Sequence, residues 1–167
     1  MNEKERDTYN NNILIYNNHI KVYRCQYKTF KELKQIEYLK KNLDTALLIF
    51  DFKENIKINS GPIEYDDTFR NKQPITILGF ILYYFDKSSD LVKKKNFNIL
   101  STILNHDANF VKESLKLLKN ELNLFKNLQI FVDAGPHFKN GELFDFLFFQ
   151  NNNLNITINF FEEKHGK

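Results

Sequence analysis

Two aspartates stand where apolar runs of this chain give way to polar residues. Asp51 follows Ala46-Leu47-Leu48-Ile49-Phe50, and Asp133 follows Leu128-Gln129-Ile130-Phe131-Val132. Runs of this kind read as strands buried in a sheet, so each carboxylate is expected beside the core at a fixed point. Phosphoryl transfer on a nucleic acid strand uses two divalent ions ~4 Å apart, one activating the attacking oxygen and one stabilising the leaving oxygen, and those ions need carboxylates from fixed neighbouring elements. Strand-end aspartates supply such ligands. Either one taken singly reads as a turn or cap residue, and only the pair points to metal ligation. Two bare carboxylates that close repel, so one of them is expected to show a raised pKa.

The residues around the pair add detail. Gly135 lets the chain turn sharply after Asp133, and Pro136 fixes the next residue near the start of a helix. His137 is placed to touch a metal site or a substrate phosphate, with a plain turn histidine as the alternative. Lys53 and Lys139 lie two and six positions after the aspartates and could meet phosphates at the rim, against the ordinary reading of solvated lysines. His106 and Asp107 read as helix-cap residues, Glu54 as a loop charge, and Lys93-Lys94-Lys95 as a solvated run in a loop.

The elements that must position these groups follow from periodicity. Residues 1–26 are polar and Asn-rich, and are expected to be poorly ordered or peripheral. In residues 27–44 the residues Tyr27, Phe30, Leu33, Ile36, Leu39 and Leu43 recur every three or four positions, which predicts one amphipathic helix. Strands are expected at 46–52, 75–85, 96–102, 128–132 and 155–161, with the first central because its unbroken apolar run needs cover on both faces. Gly79 marks a bulge or a close approach within the second. Residues 59–74 and 86–95 read as loops. A helix starts at Asn105-His106-Asp107 and carries the stripe Val111, Leu115, Leu118, Leu122 and Phe125, and residues 140–150 form a further helix that Asn151-Asn152-Asn153 ends. Three strands over short loops and then a crossover predict an α/β domain, a mixed five-stranded sheet covered by helices on both faces.

Composition sets the outer limits. The 167 residues are 42% hydrophobic and 27% charged, with seventeen Phe and eight Tyr, enough apolar surface for one globular domain. No apolar run approaches the ~20 residues of a membrane span, and the charged first residues contain no signal core. The expectation is an intracellular protein, nuclear or cytoplasmic, that is not secreted and has no membrane partner. Cys25 is the sole cysteine, which excludes an internal disulfide and a cysteine-rich zinc site. A net charge of +3 is no nucleic-acid footprint by itself, so any DNA binding is expected to be weak, non-specific and salt-dependent.

The segment Val132-Asp133-Ala134-Gly135-Pro136-His137-Phe138 resembles the S/T-D-N-G-P-x-F element of retroviral integrases and DDE transposases, and Ile49-Phe50-Asp51-Phe52 resembles the element bearing their first aspartate. Closer still, Asp51-Phe52-Lys53-Glu54-Asn55, Asn105-His106-Asp107, Asp133 to Phe138 and Asn159 to Lys167 resemble transposon-derived proteins of eukaryotes and large viruses that read roughly DFKEN, SHD, SDxGPHF and NFFxEYHGKS. The resemblance spans about residues 46–167. It implies a ribonuclease H-like fold with Mg²⁺ (or Mn²⁺) as cofactor, Asp51 bridging both ions and Asp133 holding one. It implies a domain derived from metal-dependent DNA strand cleavage and transfer, here a fragment or domesticated copy of a transposable element's enzyme, inactive on its own. The alternative is a non-catalytic DNA- or protein-binding module on the same fold, and a homo-oligomer is left open. In such families a third acid sits on a helix after the fifth strand, and the sequence stops at Lys167, so the expected domain lacks that helix. Glu162 and Glu163 are the remaining candidates. Strand alternation allows only one of them to face the acidic cluster, and exposed charges are the ordinary reading of both.

Overall fold

The computed structural model describes residues 3–58, 73–149 and 154–161. Expectations on Glu162 and Glu163, on the loop from residue 59, and on the Asn151–Asn153 break therefore lie outside the described residues, as does the side chain of Glu54.

The chain opens with α1 (Glu3–Leu33) and α2 (Ile36–Lys41), continues through β1 (Thr45–Ile58), β2 (Gln73–Asp86) and β3 (Leu91–Ser101), then α3 (Ala108–Leu117), α4 (Lys119–Leu122), β4 (Asn127–Asp133), α5 (Gly141–Phe149) and β5 (Asn155–Phe161). The strands form one sheet in the order β3-β2-β1-β4-β5. β1, β2 and β3 pair antiparallel, and β4 and β5 run parallel to β1. This is the mixed five-stranded sheet that the sequence predicts, with β1 at its centre.

The two faces of β1 explain its unbroken apolar run. Ala46, Leu48 and Phe50 join Leu78, Phe80, Ile130 and Val132 in the larger core, which α3, α4 and α5 cover through Val111, Leu115, Leu118, Leu122, Leu143 and Leu147. Leu47 and Ile49 point to the other face, where Phe30, Leu33, Tyr38 and Leu39 pack with Tyr83, Phe85 and Phe131. Leu39 is fully buried there, a contribution of about 1.5–3 kcal/mol that holds α2 to the sheet. Asp107 is the N-cap of α3, accepting from the Phe110 amide at 2.8 Å, as the sequence predicts.

Five expectations are corrected. The helix expected to carry Val111 to Phe125 is two helices, α3 and α4, broken at Leu118, and Phe125 lies beyond both. Residues 3–26 are helical, although peripheral as predicted, with residues 4–18 exposed throughout. The helix expected over 27–44 is two helices, because the turn at Lys34-Gln35 re-aims the chain so that both Phe30 and Leu39 reach the same sheet face. Lys93-Lys94-Lys95 lie within β3 instead of a loop, and Lys95 is ion-paired to Glu121 at 2.7 Å. The hairpin is closed earlier, at residues 87–90, where Asp86 accepts from the hydroxyls of Ser88 and Ser89. Finally, β1 does not stop at Phe52: it continues to Ile58 beside β2, with an irregularity between Lys53 and Ile56. Among the described residues, no helix is long and apolar enough to cross a membrane.

Candidate functional site

β1 and β4 run parallel, and their ladder pairs Ile49 with Phe131 as its last rung. Side chains alternate along both strands, so Asp51 and Asp133, each two residues further on, leave the same end of the ladder on the same face. Asp51 is thus a strand end toward β4 only. Toward β2 it is still paired, opposite Gly79, and Gly79 in turn is opposite Asn98. On its other side Asp133 is paired with Phe161. One row across the sheet therefore reads Asn98, Gly79, Asp51, Asp133, Phe161.

The carboxylates feel each other. Asp51 is pushed above its ordinary value of 3.8 by partial burial first and by the charge of Asp133 second, against the Phe52 backbone amide and His137, which pull it down. The direction is the one expected of two neighbouring carboxylates, but burial and not the second charge is its leading cause. Asp133 is held in place by its own turn: its Oδ1 accepts from the Gly135 amide at 2.8 Å. A Cβ at Gly135 would stand 2.8 Å from both that oxygen and Cε1 of His137, so the absence of a side chain lets the turn fold onto the aspartate.

His137 completes this corner. Its Nε2 lies 3.8 Å from Asp133 Oδ1, too far for a hydrogen bond, and is buried without a hydrogen-bond partner. The ring is wedged edge-on against Phe52 at 5.2 Å and Phe138 at 4.1 Å. Phe52 is itself stacked flat on His106 at 4.2 Å, whose Nε2 lies 3.2 Å from Asn55 Oδ1, and the buried Thr76 hydroxyl donates to the same oxygen at 3.2 Å. His106 is therefore a wall of the site's aromatic support, not a helix cap. Sequence reasoning missed Asn55, Phe52 and Thr76 in this role; the signal for the first two was their place in the segment Asp51 to Asn55.

Lys53 crosses the open sheet face beside Asp51. Its Nζ donates to Asn98 at 2.9 Å, and its Cε would lie 3.0 Å from a Cβ on Gly79, so Gly79 is the predicted close approach, with no bulge at that position. Asp51, Lys53, Gly79, Asn96 and Asn98, floored by Ile49 and Ile81, line a groove of about 420 Å³. Lys139 is not in it: its ammonium sits 5.9 Å over the Phe160 ring. Sequence alone gave no signal for Asn96 and Asn98, which join the groove only through cross-strand register. Glu162 and Glu163 follow directly on Phe161, outside the described residues.

A family model matches residues 19–167, nearly the whole chain. The chain belongs to that family, described as Domain of unknown function (DUF8701). The match to this family includes β1 to β5 and both aspartates, and its description assigns no activity. No curated protein matches the chain. Among solved structures, the chain is similar at 12% identity and a TM-score of 0.41 to one from a simian T-cell lymphotropic virus intasome in complex with the PP2A regulatory subunit B56 gamma, over 68% of this chain and 31% of the other. It is similar at 11% identity and a TM-score of 0.43 to one from the Mos1 strand transfer complex, over 87% of this chain and 43% of the other. The chain thus spans less than half the length of either.

The residues present suit a divalent cation. Two carboxylates share one corner, the charge of one opposes ionisation of the other, and the buried Nε2 beside them lacks a partner. A cation between the acids would relieve their repulsion. Among the described residues no group of three His, Cys, Asp or Glu stands ready to enclose a metal by itself.

Proposed function

We propose that this domain derives from an enzyme of metal-dependent DNA strand cleavage and transfer, of the transposase or integrase type, and that Asp51 and Asp133 are its ligands for Mg²⁺ or Mn²⁺. The observation that carries the reading is the exit of both carboxylates from the last rung of the β1–β4 ladder on one face, in segments that resemble DDE transposases. When bound, the cation would supply charge stabilisation to a reacting phosphate and lower the pKa of an attacking hydroxyl. The chain's own residues do the rest. Asp133 is fixed by the Gly135 amide, the buried Nε2 of His137 would lie beside a cation held by Asp133, and Lys53 supplies positive charge along the adjoining groove. DNA is the proposed partner, bound weakly and without base reading, since the lysines address phosphates. Two acids are brought together here, while two-ion chemistry needs further ligands, so the domain is proposed to be inactive alone.

Thermal unfolding with Mg²⁺ or Mn²⁺ tests the site. A cation at about a hundred times its Kd contributes about 2.7 kcal/mol, which for a chain of this size raises Tm on the order of 5–10 °C. That shift is expected in the wild type and absent in Asp51→Asn and Asp133→Asn. Equal shifts in all three would remove the site, and a wild type indifferent to both cations would favour a non-catalytic binding module.

A further inference from the structure

Helix α1 stands mostly clear of the sheet, yet it carries an ordered apolar stripe. From Tyr9 the residues Ile13, Tyr16, Ile20, Tyr23 and Tyr27 succeed one another at steps of four and three, and a last step of three reaches Phe30. That is a 3.5-residue repeat, the pattern that keeps one seam of a helix turned toward a second helix wound around it. The seam is fixed at one end, because Phe30 packs edge-on against Phe131 at 5.1 Å and Phe161 at 5.8 Å. At the other end it is bare: Tyr16 is 61% exposed, and Tyr9 and Ile13 are exposed with it.

Local propensity does not account for this helix. Asn10, Asn11, Asn12, Asn17 and Asn18 are poor helix formers, and helices in water without packing are marginal even for good ones. Burial of the seam would supply the missing stability. The flanks indicate what buries it. Pairs of unlike helices are commonly selected by opposite charges beside the seam, but here the positions flanking its exposed half are Asn10, Asn12 and Asn17, and those flanking the half nearer the sheet, His19, Arg24 and Gln26, include no acid. An amide both donates and accepts, so it can meet an identical amide across a two-fold axis without repulsion.

We infer that α1 is a self-association element, its Tyr9 to Tyr27 seam packing against the same seam of a second copy of this chain as a two-helix coiled coil. The seam is about 27 Å long at 1.5 Å per residue. It lies outside the sheet domain, so it can join two domains without occupying the groove beside Asp51.

Sedimentation equilibrium of the full chain across the micromolar range tests this, with glutamate used as the probe because it preserves helix propensity. Tyr16→Glu and Ile13→Glu place a charge in the seam and are expected to raise the dimer dissociation constant about tenfold or more. Leu14→Glu is the control: Leu14 is 58% exposed but lies off the stripe, and its substitution is expected to change the constant less than about twofold. An unchanged thermal transition of the sheet domain shows that each variant is folded. A wild type that stays monomeric throughout, including one whose α1 is taken up by another protein or by DNA, overturns the inference. So does a Leu14→Glu effect as large as that of Tyr16→Glu, which would indicate unspecific apolar adhesion.

Discussion

The imidazole Nε2 of His137 lies 3.8 Å from Oδ1 of Asp133, and no side chain stands between them because the residue at the turn is Gly135. The same carboxylate oxygen accepts from the Gly135 amide, so a single turn both orients the acid and brings the histidine to it. Aromatic contacts from Phe52 and Phe138 then fix the ring from the far side. The corner is held by packing, with the His137 Nε2 buried beside the carboxylate.

Gly135→Ala is expected to disturb both functions of the turn. The new methyl would be 2.8 Å from Asp133 Oδ1 and from His137 Cε1, and relief of such overpacking typically costs about 1–3 kcal/mol. Tm should fall by several degrees and the cation-induced shift should shrink. A variant with wild-type Tm and wild-type cation response would show that the turn has room to spare.

The pH dependence has a definite sign. Folded Asp51 titrates above 3.8, so its protonated form is relatively favoured by folding, and that contribution is lost as pH rises through the folded pKa. Without divalent cation, Asp51→Asn should therefore be more stable than the wild type at neutral pH, and the difference should disappear as pH falls below about 3.8. The effect is expected to be modest because solvent reaches the carboxylate. Melting curves of both proteins in chelator check it, and an Asn variant less stable at neutral pH would contradict it.

Binding to a duplex oligonucleotide, followed by fluorescence anisotropy against salt, should be weak and insensitive to sequence. Lys53→Ala should reduce the steepness of the log–log salt plot by about one unit, as expected for one phosphate contact. Lys119→Ala, in α4 on the opposite side of the sheet, should leave the slope unchanged. Equal effects of the two substitutions would detach the groove from DNA binding.

Purified chain is expected not to nick or join DNA in Mn²⁺. Among the described residues no three His, Cys, Asp or Glu gather to hold a metal, and two-ion catalysis loses orders of magnitude in rate when the ions are not held at a fixed separation. Turnover that vanishes in both Asp51→Asn and Asp133→Asn would show that the domain already holds a sufficient ligand set.

The order and type of the sheet elements were legible in the sequence because burial writes itself locally. Leu47 to Phe50 must be apolar at every position if β1 is covered on both faces, and the Val111 to Phe125 stripe must repeat at helical spacing if it faces the sheet. The two aspartates were legible for the same reason, as polar residues ending buried runs. Long-range register was not. That Asp51 shares a face with Asp133, and that Gly79 lies opposite both Asp51 and Asn98, depends on which rungs pair between strands distant in sequence, and no local pattern encodes those rungs. The amino-terminal helix was hidden for a different reason. Its asparagines argue locally against helix, while its seam runs through residues spaced so that each alone looks incidental. The sequence by itself determined which residues must be buried and where buried runs end; the tertiary structure decided which of those ends meet, because convergence is set by strand pairing and not by the residues that converge.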